Sequence, residues 1–326
     1  MGTTSTAVET PATTPQASAS TSTSPTTTVP EPILYAVVAE ERARRLSVLD
    51  PADVCLSATS PCDIEPLIRF DLSERPHNMT GVGPIVYATH PAAGAISRVD
   101  VEMGSIMTVP VGIEPHDIKY APELQVLFVA DEAGRRLLTL DPDTLELLGS
   151  VDLPAQPHDL ALDEGIAWVT LRGRSQIARV HGENFELFET GGSPHDVIVD
   201  DDGMIWFSNW GSSRLSIFDP VNETTTEAPA GVTEPHHFAI DVDGTVWVSD
   251  NGGASIVGFG LQPQTVEVGP VPHHLAVAAG VLVVAVSGSG QAVLIRDAEI
   301  VGRSGLSEGL HGVAVVELVE PIPATC

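Results

Sequence analysis

The chain has 326 residues, 43% of them hydrophobic, with 29 glycines, 26 prolines and a formal charge of −29 from 15 basic and 44 acidic side chains. That charge argues against nucleic acid or an anionic membrane surface as a partner, and no run of 18 apolar residues is present to span a membrane. Length alone fits either one large all-β domain or two ordinary ones.

Residues 1–32 are almost wholly Thr, Ser, Pro and Ala. Such a composition buries too little apolar surface to offset its ordering entropy, so this segment is expected to be a disordered tether. Thr/Ser/Pro tethers of this kind accompany export, which points to an extracellular or cell-envelope location. Cys55 and Cys62 are separated by six residues and would close a small loop in an oxidising compartment. Cys326 has no evident partner, and the absence of a CxxC pair excludes a zinc ribbon.

From residue 33 the pattern is strand, turn, strand. Ile33–Ala39 is apolar, while Arg45–Asp50 and Pro66–Asp71 alternate. Then a unit of about 40 residues recurs, each copy opening on a histidine: His77, His116, His158, His195, His236, His273 and His311. Six of the seven follow a proline, and successive histidines are 37 to 42 residues apart. In the fourth copy, His195–Asp200 reads as an innermost strand, Asp202-Gly203 as a hairpin turn, Met204–Asn209 as a second strand and Arg214–Asp219 as a third. Trp168, Trp206 and Trp247 fall at equivalent second-strand positions and are expected in the core between blades.

A period near 40 with a strand-rich interior marks an all-β propeller. The last strand, near His311–Glu317, has nothing after it to pair with, and the three strands before His77 lack an innermost partner. Together they make a seventh blade shared between the two ends of the chain, which leaves no free edge. The expected architecture is therefore a seven-bladed propeller over residues 33–320, a tail at 321–326, and a monomer, since the ring is self-sufficient.

The residue opening each innermost strand points to the central channel, so the seven histidines should form a ring there. Imidazole ligates zinc, copper, iron and nickel. Polar residues recur where the second strand returns to the same mouth: Asn209, Asp250, Ser287, His90, Asp131, Arg172 and Glu40 or Glu41. Glu114 and Glu234 precede ring histidines by two residues, across a proline, and could ligate a cation. Asp117, Asp159 and Asp196 directly follow ring histidines, as do His237 and His274. Strand alternation would turn all five away from the channel as hydrogen-bonding structural groups.

The stretches Ser193–Gly211 and Glu234–Asp250 resemble blades of the streptogramin (virginiamycin B) lyases, within a wider group of seven-bladed propellers that includes YVTN-type surface proteins. The resemblance implies magnesium at the channel mouth and a histidine base that eliminates an ester bond in a cyclic peptide lactone. By position it implies His236 as the base, His195 as its partner on the adjacent blade, and Glu234 and Asp250 as metal-ligating or orienting groups. Base, enolate and cation form a coherent set for that chemistry. Two other functions fit the residues. One is a transition-metal protein holding copper, zinc or iron on His77, His116, His158, His195, His236, His273 and His311; the other is an exported binding or scaffold propeller without chemistry.

Overall fold

In a computed structural model, residues 1–2, 31–52, 61–190, 192–209, 212–229 and 231–323 are described. The tether, Cys55 and Cys326 fall outside them, apart from the tether's first two residues and its last two. Cys62 is disulfide-bonded. Seven antiparallel sheets make up the toroid, each running from an innermost strand outwards. Blade 1 is Met79–Val82, Ile85–His90, Ala95–Asp100 and Ser105–Pro110. The innermost strands of blades 2 to 6 are Pro115–Ala121, Gln156–Asp163, Pro194–Val199, Pro235–Ile240 and Pro272–Ala278. Blade 7 joins the two ends of the toroid: Leu310–Leu318 is innermost and pairs with Ile33–Glu40, followed by Arg45–Leu49 and Ile68–Asp71. Each innermost strand lies beside that of the next blade all the way round. No helix among the described residues is long and apolar enough to cross a membrane.

One strand was not anticipated. Cys62–Asp63 adds in parallel to the outer strand Glu299–Gly305 of blade 6, with Gly302 opposite Cys62. It covers an edge that would otherwise present unpaired backbone groups. Ile64, which follows it, is buried in the seam between blades 6 and 7.

The core is distributed. Seven apolar clusters occupy the seven seams between adjacent blades, one to each. Alternation along each strand produces this, because a blade inside a propeller buries both faces. Trp168, Trp206 and Trp247 sit in the seams 3/4, 4/5 and 5/6, as expected of inter-blade packing.

The feature that shapes the channel is a bulge at the start of every innermost strand. In blade 4, Pro194 pairs with Asn209 and Val197 with Phe207, so His195 and Asp196 together stand opposite the single residue Ser208. The same two-against-one register recurs in blades 2, 3, 5, 6 and 7. In blade 1, His77 and Asn78 both bond Thr89. An extra residue in one strand breaks the alternation of faces locally. Both the histidine and its successor therefore reach the channel.

Four of the opposed residues carry hydroxyls, and these satisfy the bulge. Ser208 Oγ accepts from Asp196 N–H (3.1 Å) and donates to the carbonyl of His236 on the next blade (2.8 Å). Thr89 and Thr170 do the same for the carbonyls of His116 and His195. Ser208→Ala leaves two buried backbone groups without that partner, which should cost about 1–3 kcal/mol. The expected result is a lower denaturation midpoint with an unchanged denaturant slope; an unchanged midpoint would remove Ser208 from the set of ring-fixing residues.

Candidate functional site: a closed circle of imidazoles

The seven repeat histidines form an unbroken circle. Neighbouring ring centroids are 4.7 Å apart for His77–His116, 3.9 Å for His116–His158, 4.5 Å for His158–His195 and 4.3 Å for His195–His236. The circle closes through His236–His273 (4.4 Å), His273–His311 (4.0 Å) and His311–His77 (3.5 Å). Hydrogen bonds link some of the rings directly: His77 Nε2 lies 3.1 Å from His116 Nε2, and His116 Nδ1 lies 3.0 Å from His158 Nδ1. His311 Nδ1 is buried without a hydrogen-bond partner among the described residues.

Burial governs the charge of these rings. It depresses the pKa of His77, His158, His195, His273 and His311 well below the ordinary value, and the nearness of other imidazoles depresses it further. His236 is brought down to about 4, by burial first and then by His116. His116 is the exception. Burial opposes its charge as well, but the hydrogen bond and charge of Asp159, with Glu132 and Asp117 beyond it, raise its pKa above the ordinary value. At neutral pH the circle is thus a set of largely neutral nitrogen donors.

At the mouth, Arg172 lines the same recess as the imidazoles. Its guanidinium donates to Glu132 Oε1 at 2.8 Å, while Glu132 Oε2 lies 3.5 Å from His158 Nδ1 and 4.0 Å from His116 Nε2. Glu132 was not anticipated from the sequence. It follows Asp131 in the turn after the second strand, where any exposed acidic residue would look the same; only its burial sets it apart.

Among the described residues Arg172 is the one member of the expected polar second ring that lines this recess, and most of the others serve the loops that lead into the innermost strands. Asp250 accepts from Thr233 N, Thr233 Oγ1 and Glu234 N at 2.7 to 2.9 Å. Asp131 holds Ile113 N and Glu114 N in the same way. Asn209 Nδ2 donates to Ser216 Oγ on the third strand, His90 bonds the Arg75 carbonyl and Ser97, and Glu40 accepts from Ser307 N. Ser287 N–H donates to the Val271 carbonyl. Glu234 is exposed and Glu114 half-buried, and neither lines the recess of the imidazoles. The structure thus brings the seven histidines together and sets Glu234 and Asp250 outside their circle.

The successors of the ring histidines are a correction to the alternation argument. Asn78, Asp117, Asp159, Asp196, His237 and His274 line one cavity on the axis. Asp117 and Asp196 do bond across seams, to Leu160 N and Phe238 N. They nevertheless face the channel, because the bulge adds a residue where the alternating pattern has none. The seventh successor is Gly312, where a Cβ would come within 2.5 Å of the His77 carbonyl oxygen.

Several groups of histidine and carboxylate atoms in the channel could hold a metal ion, among them His195, His236 and His237; His237, His273 and His274; and His116, Glu132 and His158. No protein-family model and no curated protein matches the chain. Solved structures do match. Virginiamycin B lyase from Staphylococcus aureus superposes with a TM-score of 0.64 at 16% identity, over 73% of this chain and 87% of that one. AztD from Citrobacter koseri, in its apo form, gives 0.66 at 11% identity over 88% and 98%. A functionally unknown protein from Desulfotomaculum acetoxidans DSM 771 gives 0.69 at 14% identity over 87% and 99%. At these identities the shared property is the fold, and this chain is a seven-bladed β-propeller similar in fold to the streptogramin B lyases and to other propellers.

Proposed function

We propose that this protein is a transition-metal-binding propeller that takes a zinc or copper ion on its imidazole circle. The observation that carries this reading is the circle itself, seven imidazoles in ring-to-ring contact with centroids 3.5 to 4.7 Å apart. A structural role needs one hydrogen bond per histidine. It gives no reason to face all seven to one axis, nor to leave His311 Nδ1 buried without a hydrogen bond among the described residues. His195, His236, His237, His273 and His274 would supply most of the nitrogen on one side, and His116, Glu132 and His158 a mixed set on the other. Neutral imidazole prefers zinc and copper to magnesium, which demands oxygen and retains its water. The excess of acidic side chains would draw cations toward the mouth. The Thr/Ser/Pro-rich tether and the disulfide at Cys62 favour an exported protein.

The test is calorimetric titration of the chelator-stripped protein with Zn²⁺, Cu²⁺ and Mg²⁺. Stoichiometric binding of Zn²⁺ or Cu²⁺ with no heat from Mg²⁺ is expected. Binding of Mg²⁺ alone, or of no ion, would overturn the proposal.

A second reading is supported by the likeness in fold to virginiamycin B lyase and by the side-by-side placement of His195 and His236. Here His236, unprotonated at neutral pH, would be the base and His195 its neighbour. Glu234, exposed two residues before His236, would be available to a magnesium ion. Asp250 would act by holding the Thr233–Glu234 turn that leads into His236. The reading expects a linearised product, seen by mass spectrometry, when a streptogramin B is incubated with protein and Mg²⁺, and none with His236→Ala. Product at the wild-type rate from that variant would rule out His236 as the base.

A further inference from the structure

Next to the imidazole circle, the successor residues enclose a cavity of about 300 Å³. Three of these residues are carboxylates, and their surroundings differ. Asp117 is matched by Lys119 on its own strand, whose ammonium donates to both carboxylate oxygens at 2.8 Å. Among the described residues, no lysine or arginine forms an ion pair with Asp159 or Asp196. Asp159 Oδ1 accepts from Asn78 Nδ2 (3.1 Å) and lies 3.4 Å from His116 Nδ1. Among the described residues Asp159 Oδ2, on a residue only 1% exposed, has no hydrogen-bond partner, and His195 Nδ1 lies 3.8 Å from it. Asp196 Oδ2 accepts from Phe238 N at 2.9 Å and lies 3.2 Å from His237 Nδ1. One ligand atom from each of Asp159, Asp196 and His237 falls within 4.8 Å of the others.

We propose that Asp159, Asp196 and His237 form a second cation site inside the channel, beside the imidazole circle and selective for a harder divalent ion such as Mn²⁺. A purely architectural carboxylate would spend both oxygens on backbone N–H groups or on a lysine, as Asp117 does on Lys119 and Asp196 on Val197 N and Phe238 N; among the described residues Asp159 leaves Oδ2 unspent. A buried carboxylate oxygen that bonds nothing lacks the donor or cation its burial requires. Two carboxylates and one imidazole give an oxygen-rich donor set, which suits manganese better than the all-nitrogen circle does. Asp159 also lies within ligand distance of His158 and His195, and His237 within that of His195 and His236, so the two sites adjoin through both residues.

The test uses the full chain, stripped with chelator. Mn²⁺ is titrated in while free Mn²⁺ is read by electron paramagnetic resonance, and thermal unfolding is followed with and without the ion. Wild type is expected to bind one Mn²⁺ in this site and to melt at a higher temperature when loaded. D159N/D196N should weaken that binding about 100-fold or more and abolish the thermal shift. The same variant should keep its Zn²⁺ stoichiometry at the circle, with a modest fall in its metal-free melting temperature because asparagine at 196 can accept only one of the Val197 and Phe238 N–H groups. H77N/H311N, which alters only the circle, should bind Mn²⁺ as wild type does. Unchanged Mn²⁺ binding in D159N/D196N, no Mn²⁺ binding by wild type, or a lower metal-free melting temperature as that variant's only effect would each overturn the proposal.

Discussion

Replacing His195 and His236 together by asparagine is expected to weaken Zn²⁺ or Cu²⁺ binding by about 100-fold or more, or about 2.7 kcal/mol. The two rings are neighbours on blades 4 and 5, and with His237 they form one of the groups able to hold an ion. The pair therefore removes two of three adjacent nitrogens. Asparagine retains polarity and some of the volume, and the strand carbonyls of both residues still receive Thr170 Oγ1 and Ser208 Oγ. The fold should hold, as circular dichroism would verify. A matched H77N variant should lose about tenfold or less, because His77 belongs to none of the metal-capable groups among the described residues. Equal affinity for wild type and H195N/H236N would place the ion elsewhere.

Lowering the pH from 7.5 to 5.5 is expected to destabilise the metal-free protein steeply. Burial depresses the folded-state pKa of nine histidines: His77, His90, His158, His195, His236, His237, His273, His274 and His311. Below an unfolded value near 6.5, the unfolded chain takes up protons that these folded rings refuse, so stability falls with pH. Each such histidine contributes a slope of up to about 1.4 kcal/mol per pH unit. His116 works in the opposite direction: its pKa is raised, so its contribution is present at low pH and lost as pH rises. Asp159 and Asp196 also oppose, because burial raises their pKa values and their protonation at low pH relieves a cost. The nine outnumber these three, and the net slope should be several times that of a single group. With total stabilities of about 5–15 kcal/mol typical of a domain, unfolding near pH 5 is expected. Asparagine at His77, His158, His273 and His311 should flatten the dependence. A melting temperature indifferent to pH over this range would mean that the folded rings titrate normally.

Much of the architecture was legible from one residue type. The interval between histidines set the number of blades, and the unpaired strand Leu310–Leu318 with the three strands before His77 set the closure. The tryptophans at second-strand positions located three seams. The circle itself was legible too, because each histidine opens an innermost strand. The partners of the histidines were less so. Asp250 and Glu234 look like channel groups in sequence, yet Asp250 is occupied by the turn before His236, and a hydrogen bond to a loop has no signature in spacing. Asp159 and Asp196 look outward-facing under strand alternation, and the bulge that turns them inward depends on register. A hydroxyl 12 or 13 residues after the histidine, as at Thr89, Thr170, Ser208 and Ser249, was the available sign. It marks the position that receives the bulge's extra N–H.

His311 rides on Leu310–Leu318, and that strand is held in register by Ile33–Glu40 from the far end of the domain. The last imidazole therefore takes its place only when two segments at least 270 residues apart in sequence have met. Contacts of such long sequence separation form slowly. Any cation that needs the whole circle must wait for that event, so uptake of metal would report completion of the toroid, and a chain that has folded six blades without the seventh would have an incomplete circle.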